Sequence, residues 1–272
     1  MADHERVRIG NQTSYKAIPP ERPFDYALAR QFDAFEWFPD RRPSGQGWLT
    51  ADLDDDRRRE IRRRAVDAGV ALSVHATLPA DPLCAESHEE INRDLRLAED
   101  LGATLLNIHM SQAGPPGRYA EGVAPLVRRC AGARIRLAIE NTPADAPGDF
   151  NALFARLEEI ADWPTGAVGM CLDIGHANLC AETRNDYLGY LDRLGPHVPI
   201  VHLHAHENRG DRDSHLPMFS GPAGEDPSGV EGLVIRLKRR GFCGCIVLEQ
   251  WPDPPALLDR ARDGLLRLFR AD

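Results

Sequence analysis

Residues 200–217 read IVHLHAHENRGDRDSHLP. Alternate residues of an extended strand share a face, so His202, His204 and His206 align on one side, with Val201 and Leu203 on the other. The same design, an apolar run closed by a polar residue, recurs along the chain. LSVH ends at His75, LLNIH at His109, LAIE at Glu140, GMCLD at Asp173 with His176 just beyond, and CIVLE at Glu249. One such residue alone is most often a satisfied structural group. Six runs ending alike point to a shared site.

Eight strand-like runs are read: Arg6 to Gly10, Ala34 to Phe38, Ala71 to His75, Thr104 to His109, Arg136 to Glu140, Val168 to Asp173, Ile200 to His206 and Cys245 to Glu249. Helical segments separate them, an alternation that implies parallel strands with crossover helices. DDDRRREIRRRAVDAG carries acids at its start, an i,i+4 pair of Asp54 with Arg58, and Gly69 as a stop. SHEEINRDLRLAEDLG opens with a capping box of Ser87 and Glu90, and the last helix stripes Leu257, Leu258, Ala261, Leu265, Leu268 and Phe269. Eight units fill the chain with no residual linker. The expectation is a single (β/α)8 TIM barrel over residues 1–272, with a doubly wound open sheet as the alternative.

Composition narrows the setting. Of 272 residues, 42% are hydrophobic and 28% charged, the balance of a globular protein with a sizeable core. Cys84, Cys130, Cys171, Cys180, Cys243 and Cys245 show no framework spacing and read as free thiols, Cys243 and Cys245 as plain strand residues. The start, MADHERVRIG, lacks a signal segment, and no apolar run approaches the roughly 20 residues of a spanning helix, so a cytoplasmic protein without membrane contact is expected. A net charge of −9 disfavours a globally basic nucleic-acid binder, although screening leaves room for a local basic rim.

In a barrel the carboxyl ends of all strands meet at one face, so the strand-end residues would converge. Carboxylates and imidazoles gathered at the end of an apolar tube cannot remain uncompensated. A divalent cation resolves this, and oxygen with imidazole donors suits Zn, Mn, Co or Fe, or Mg with water filling the remaining positions.

These motifs, SVHATLP, LLNIHMS, AIENTP, CLDIGHANL, HAHEN followed by RDSHLP, and VLEQ, span nearly the whole chain. Together they resemble the xylose isomerase-like barrel superfamily, which holds sugar isomerases and epimerases and the endonuclease IV type of abasic-site nuclease. The resemblance implies a central metal held by Glu140, Asp173, His204 and Glu249, with His202 the alternative seventh-strand ligand and otherwise a support deeper in the barrel. For a multinuclear site it adds His75, His109, His176, Asp213 and His215.

Two chemistries follow. In the first, a small carbohydrate or sugar phosphate is isomerised or epimerised, with Glu140 and Glu249 moving the proton next to a metal-bound carbonyl and His75, His109, His176 and Arg209 binding the substrate. In the second, clustered metals cleave abasic DNA, gripped by Arg41, Arg42 and Trp48 in EWFPDRRPSGQGW; the plainer reading folds that Trp onto the barrel. HLPMFSGPAGE resembles the isomerase-like members and the charge is acidic, so carbohydrate chemistry is the expected function. A non-catalytic metal-binding barrel is disfavoured by the complete donor set. Asp145, Asp149, Asp186 and Glu225 read as caps or solvated charges, His206 as facing the mouth, and the oligomeric state is left open.

Overall fold

Parallel neighbours cannot be joined by a hairpin, and here each strand is followed by at least one helix. The computed structural model describes residues 6–271. Its strands are β1 (Arg8–Gln12), β2 (Ala34–Trp37), β3 (Ala71–His75), β4 (Leu105–His109), β5 (Arg136–Glu140), β6 (Val168–Asp173), β7 (Ile200–Ala205) and β8 (Cys245–Leu248). Each pairs with the next in parallel, and β8 closes on β1 through Arg8 with Cys245 to Asn11 with Leu248. That closure makes a (β/α)8 barrel and excludes the open sheet.

The apolar core lies between strands and helices. Phe24, Phe35 and Trp37 pack with ring centroids 5.1–5.5 Å apart, and Trp48 meets Trp37 edge-on at 5.8 Å. Trp48 is only 2% exposed, so the loop after β2 folds its indole onto the barrel. In the last helix Leu258, Ala261 and Leu265 are buried, with Leu268 and Phe269 half-buried against the same core.

Several local expectations are corrected. β1 begins two residues later and runs to Gln12, because Gly10, Asn11 and Gln12 continue the ladder with Ala34, Phe35 and Glu36. Val201 does not share a helix-facing layer with Leu203. Met170 pairs with Ile200 and Cys171 with His202, so Val201 is bulged out of register and packs on Leu105, Ala138 and Cys171. The Ser87–Glu90 capping box is not formed: a 3-10 turn at Ala85–Ser87 leads into the helix, Ser87 Oγ donates to the Pro79 carbonyl, and Glu90 accepts from Arg93. Asp54 caps the Arg57 amide at 2.9 Å rather than pairing with Arg58, whose guanidinium reaches Asp100 at 2.7 Å. Gly69 ends that helix at φ 67°, as its position predicts.

All six cysteines are free. Among the described residues no helix is long and apolar enough to cross a membrane.

Candidate metal centre at the carboxyl ends of the strands

The strand-end residues converge. Glu140 from β5, Asp173 from β6, His204 from β7 and Glu249 after β8 each offer a donor atom, and these four atoms all lie within 4.8 Å of one another. His75, His109 and Glu140 form a second such group, and His206, Asp213 and His215 a third. Asp173, His176 and His206 make a fourth that links the centre to the loop.

Three of the imidazoles are fixed by Nδ1 and aimed with Nε2. His75 Nδ1 lies 2.6 Å from the Ala76 carbonyl, His176 Nδ1 2.9 Å from that of Asn141, and His215 Nδ1 2.9 Å from that of Glu249. Donation to those carbonyls turns each Nε2 toward the centre, where it is the lone-pair nitrogen once the imidazole is neutral. His75 Nε2 then stands 3.2 Å from Glu140, and the Nε2 atoms of His176 and His215 stand 3.3 and 3.0 Å from Asp213. His204 is reversed: Nε2 is 2.8 Å from Glu36, while Nδ1 faces Glu140 and Glu249 at 3.3 Å each.

Several of these inward atoms are in van der Waals or ionic reach yet lack hydrogen-bond geometry. His75 Nε2, His204 Nδ1, Glu140 Oε1 and Glu249 Oε2 are buried and have no hydrogen-bond partner among the described residues. Four orphaned polar atoms around one point would each cost roughly 1–3 kcal/mol. A cation coordinated by the lone pairs removes that penalty, so the donor set fits a divalent metal with mixed nitrogen and oxygen preference.

Electrostatics agrees. Burial works to raise the Glu140 carboxyl, but His204 and His109 overcome it and hold the group well below the usual carboxylate range. Glu249 behaves alike, with His204 and His215 overriding burial. Burial opposes protonation of His215, yet Glu249 and Asp213 lift it to about 9.

Three residues that sequence reading passed over complete the centre. Glu36, fully buried on β2, accepts from Ser73 at 2.9 Å and bridges His202 and His204 at 3.0 and 2.8 Å. His202 thus meets His204 twice, through the Glu36 bridge and ring to ring at 5.4 Å. Asn107 donates to Glu140, and Asn141 accepts the Asp173 amide hydrogen at 2.9 Å while donating to its carbonyl at 3.0 Å. His206, expected at the mouth, is instead 1% exposed, 3.1 Å from Asp173 and stacked on His215 at 4.0 Å. Gly175 makes that possible, since a Cβ there would stand 2.0 Å from the His206 ring.

A cavity of about 680 Å³ opens over the centre, bordered by His75, His109, His176, Asp213, His215 and Glu249. Glu140 is fully buried and does not border it. Arg209, expected to bind substrate, is not on the cavity wall: its guanidinium pairs with Glu225 at 3.0 Å in solvent, 59% and 70% exposed. Arg41 pairs with Asp52 and Arg42 with Asp40 at 2.9 Å. Asp186 caps Gly189, Asp149 accepts from the Ala146 amide, and Asp145 ties Thr142 at 2.7 Å, which makes them local braces.

Residues 24–270 match the xylose isomerase-like TIM barrel family. The chain belongs to that family. An uncharacterized protein of Methanocaldococcus jannaschii is 29% identical over 120 residues, 42% of this chain and 36% of that protein. The match thus takes in about a third of the relative's length. Among solved structures, a D-tagatose 3-epimerase-like protein superposes with a TM-score of 0.72 at 17% identity, covering 96% of this chain and 98% of the other. Endonuclease IV from Thermus thermophilus follows with a TM-score of 0.69 at 22% identity, covering 96% and 99%. At such identities the likeness is one of fold. This family member therefore has a barrel shared by sugar epimerases and a nuclease, and its chemistry must be argued from its own site.

Proposed function

We propose that this chain is a divalent-metal-dependent isomerase or epimerase of a small sugar or sugar phosphate. The observation that carries the reading is the quartet Glu140, Asp173, His204 and Glu249 at the base of a cavity of about 680 Å³, a volume suited to a small molecule rather than to a duplex groove. A bound divalent ion supplies polarisation of a substrate carbonyl, which acidifies the neighbouring C–H. Glu249 borders the cavity and is ionised, so it is assigned proton abstraction. Glu140 lies behind His75, His109 and His176, at 3.2, 3.5 and 3.5 Å, and is assigned to holding the metal. His109 and His176 are placed to hydrogen-bond substrate oxygens and Lys16 on the same wall to meet a phosphate, while Arg42 beside it is held by Asp40 at 2.9 Å.

A second reading, phosphoester cleavage as in an abasic-site nuclease, is favoured by one observation. Glu140 is shared between two donor groups, and His206, Asp213 and His215 form another, with the Nε2 atoms of His176 and His215 3.3 and 3.0 Å from Asp213. Against it, Trp48 is buried and Arg41 is engaged by Asp52, so neither is presented to DNA.

Metal-depleted protein should be reloaded with Zn or Mn and incubated in D2O with ketoses and ketose phosphates, reading deuterium at the carbon beside the carbonyl by NMR. Exchange that Glu249→Gln abolishes supports the isomerase reading. Nicking of abasic duplex DNA without exchange, together with three bound ions, replaces it with the nuclease reading. Absence of metal binding overturns both.

A further inference from the structure

The opposite end of the barrel carries a second cavity, of about 530 Å³, that the metal centre does not use. Arg6, Arg8, Arg134 and Arg136 line it, and no Asp or Glu is among its described lining residues. Arg6 is engaged by Asp33 at 3.0 Å. Arg8 is engaged too, donating to the Asp33 and Gly69 carbonyls at 3.4 and 3.1 Å, so the donors open to an anion belong to Arg134 and Arg136. Arg136 gives its Nε to the Gly166 carbonyl at 2.8 Å, which orients the side chain while its Nη donors make no hydrogen bond among the described residues. The Arg134 side chain makes no hydrogen bond or ion pair among them.

The inner wall is of different character. Leu105 and Val201 make it apolar, and the bulge at Val201 is what brings that side chain there. His202 also contributes, fully buried, with an Nδ1 that has no hydrogen-bond partner. An arginine rim over an apolar wall, in a volume within the small-ligand range, matches a ligand with a phosphate head and a less polar body. Guanidinium forks suit phosphate oxygens in geometry as well as charge.

We propose that the amino-terminal mouth of the barrel is a binding site for a small phosphorylated metabolite, separate from the metal centre. The site rests on none of the catalytic assignments above. It touches the centre through His202, whose ring meets that of His204 at 5.4 Å and whose Nε2 lies 3.0 Å from Glu36, itself 2.8 Å from His204.

The test is isothermal titration of the full-length, metal-depleted protein at low salt with inorganic pyrophosphate and, separately, a nucleoside diphosphate. Submillimolar binding is expected, weakening as salt rises, and tighter for the nucleotide if its body uses the apolar wall. Arg134→Glu should weaken binding by about tenfold or more, and since its side chain has no partner to lose, the melting temperature should hold. Arg136→Ala should weaken binding too, but its Gly166 contact makes stability the control there. Paired replacement of Lys16 and Arg42 by alanine, at the other mouth, should leave affinity within about twofold. No heat with either anion, equal binding by Arg134→Glu, or binding lost only in the Lys16 and Arg42 variant would overturn the assignment.

Discussion

Replacement of Glu36 by glutamine separates a metal-positioning network from a merely polar core. The carboxylate is inaccessible and accepts three contacts, from Ser73 Oγ at 2.9 Å, His202 Nε2 at 3.0 Å and His204 Nε2 at 2.8 Å. Burial alone would raise its pKa, but His204 and His202 hold it far below the usual carboxylate range, so it is an anion in the folded protein. An anion on Nε2 fixes the His204 tautomer and leaves Nδ1 as the lone pair facing Glu140 and Glu249. Glutamine keeps the shape but offers one acceptor and one NH2 group. It can satisfy His204 only if His202 accepts, which its unpartnered Nδ1 permits by a change of tautomer. The fold should survive while the ligand loses the charge behind it. Metal affinity should drop about 10- to 100-fold, or about 1.4–2.7 kcal/mol. Glu36→Ala is harsher, leaving two imidazoles and a hydroxyl unpaired, and should cost about 3–5 kcal/mol of stability. Affinity is read by competition with a chromogenic chelator, and stability by denaturant unfolding. If Glu36→Gln unfolds like the parent and binds metal within twofold of it, the bridge has no bearing on the site and the argument fails.

Loading Zn at pH 7.5 should release protons, since His215 is lifted to about 9 in the metal-free protein and must give one up; titration in buffers of differing ionisation enthalpy measures the number. Asp94, buried on the helix His88–Leu101, is raised by burial from 3.8 to about 6, so the folded state binds its proton more tightly than the unfolded state does. Its contribution therefore falls as pH climbs from 4 to 6.5, and Asp94→Asn should gain about 2 kcal/mol relative to the parent over that range. A flat difference between the two unfolding curves would contradict the assignment. Trp48→Ala should cost about 3–5 kcal/mol of stability; unchanged unfolding would mean that the indole is not packed on Trp37 in solution.

How much of this was legible follows from where each residue sits in its strand. His75, His109, Glu140 and Asp173 close their strands, so the switch from apolar to polar marked both the strand end and the site. Glu36 lies inside AFEW, between Phe35 and Trp37, and reads as one polar residue in an aromatic strand. Its signal was the period of two: Phe35 and Trp37 belong to the helix-facing core, so Glu36 had to point into the barrel. Asn107 could have been found likewise, two residues before His109 on the same face. Arg209 stands off the cavity wall for the opposite reason, because loop geometry is set by contacts beyond the strand pattern, here with Glu225. The misplaced Ser87 cap has a similar cause: its hydroxyl is taken by the Pro79 carbonyl, a bond that no local pattern announces.

The contested atom in the centre is Asp173 Oδ2. Its partner oxygen, Oδ1, is committed to the His176 amide at 2.7 Å, and the backbone of Asp173 is locked by Asn141 on both sides. Oδ2 alone remains, 3.1 Å from His206 Nε2 and 4.0 Å from His204 Nδ1. If His206 donates to that oxygen, the carboxylate serves the central quartet with a hydrogen bond behind it, and one ion is the natural occupancy. If His206 instead turns its lone pair outward, it joins Asp213, 3.8 Å away, and His215, and the loop group becomes a complete site of its own. His215 lies at φ 44°, a conformation costly for a residue with a side chain, and it stacks on His206 at 4.0 Å. His206→Gln is the decisive substitution: its amide reaches the position of Nε2, keeps a donor toward Asp173 and removes the second ring. Unchanged metal stoichiometry in that variant would place His206 on the side of the single ion, whereas loss of one equivalent would make it a ligand.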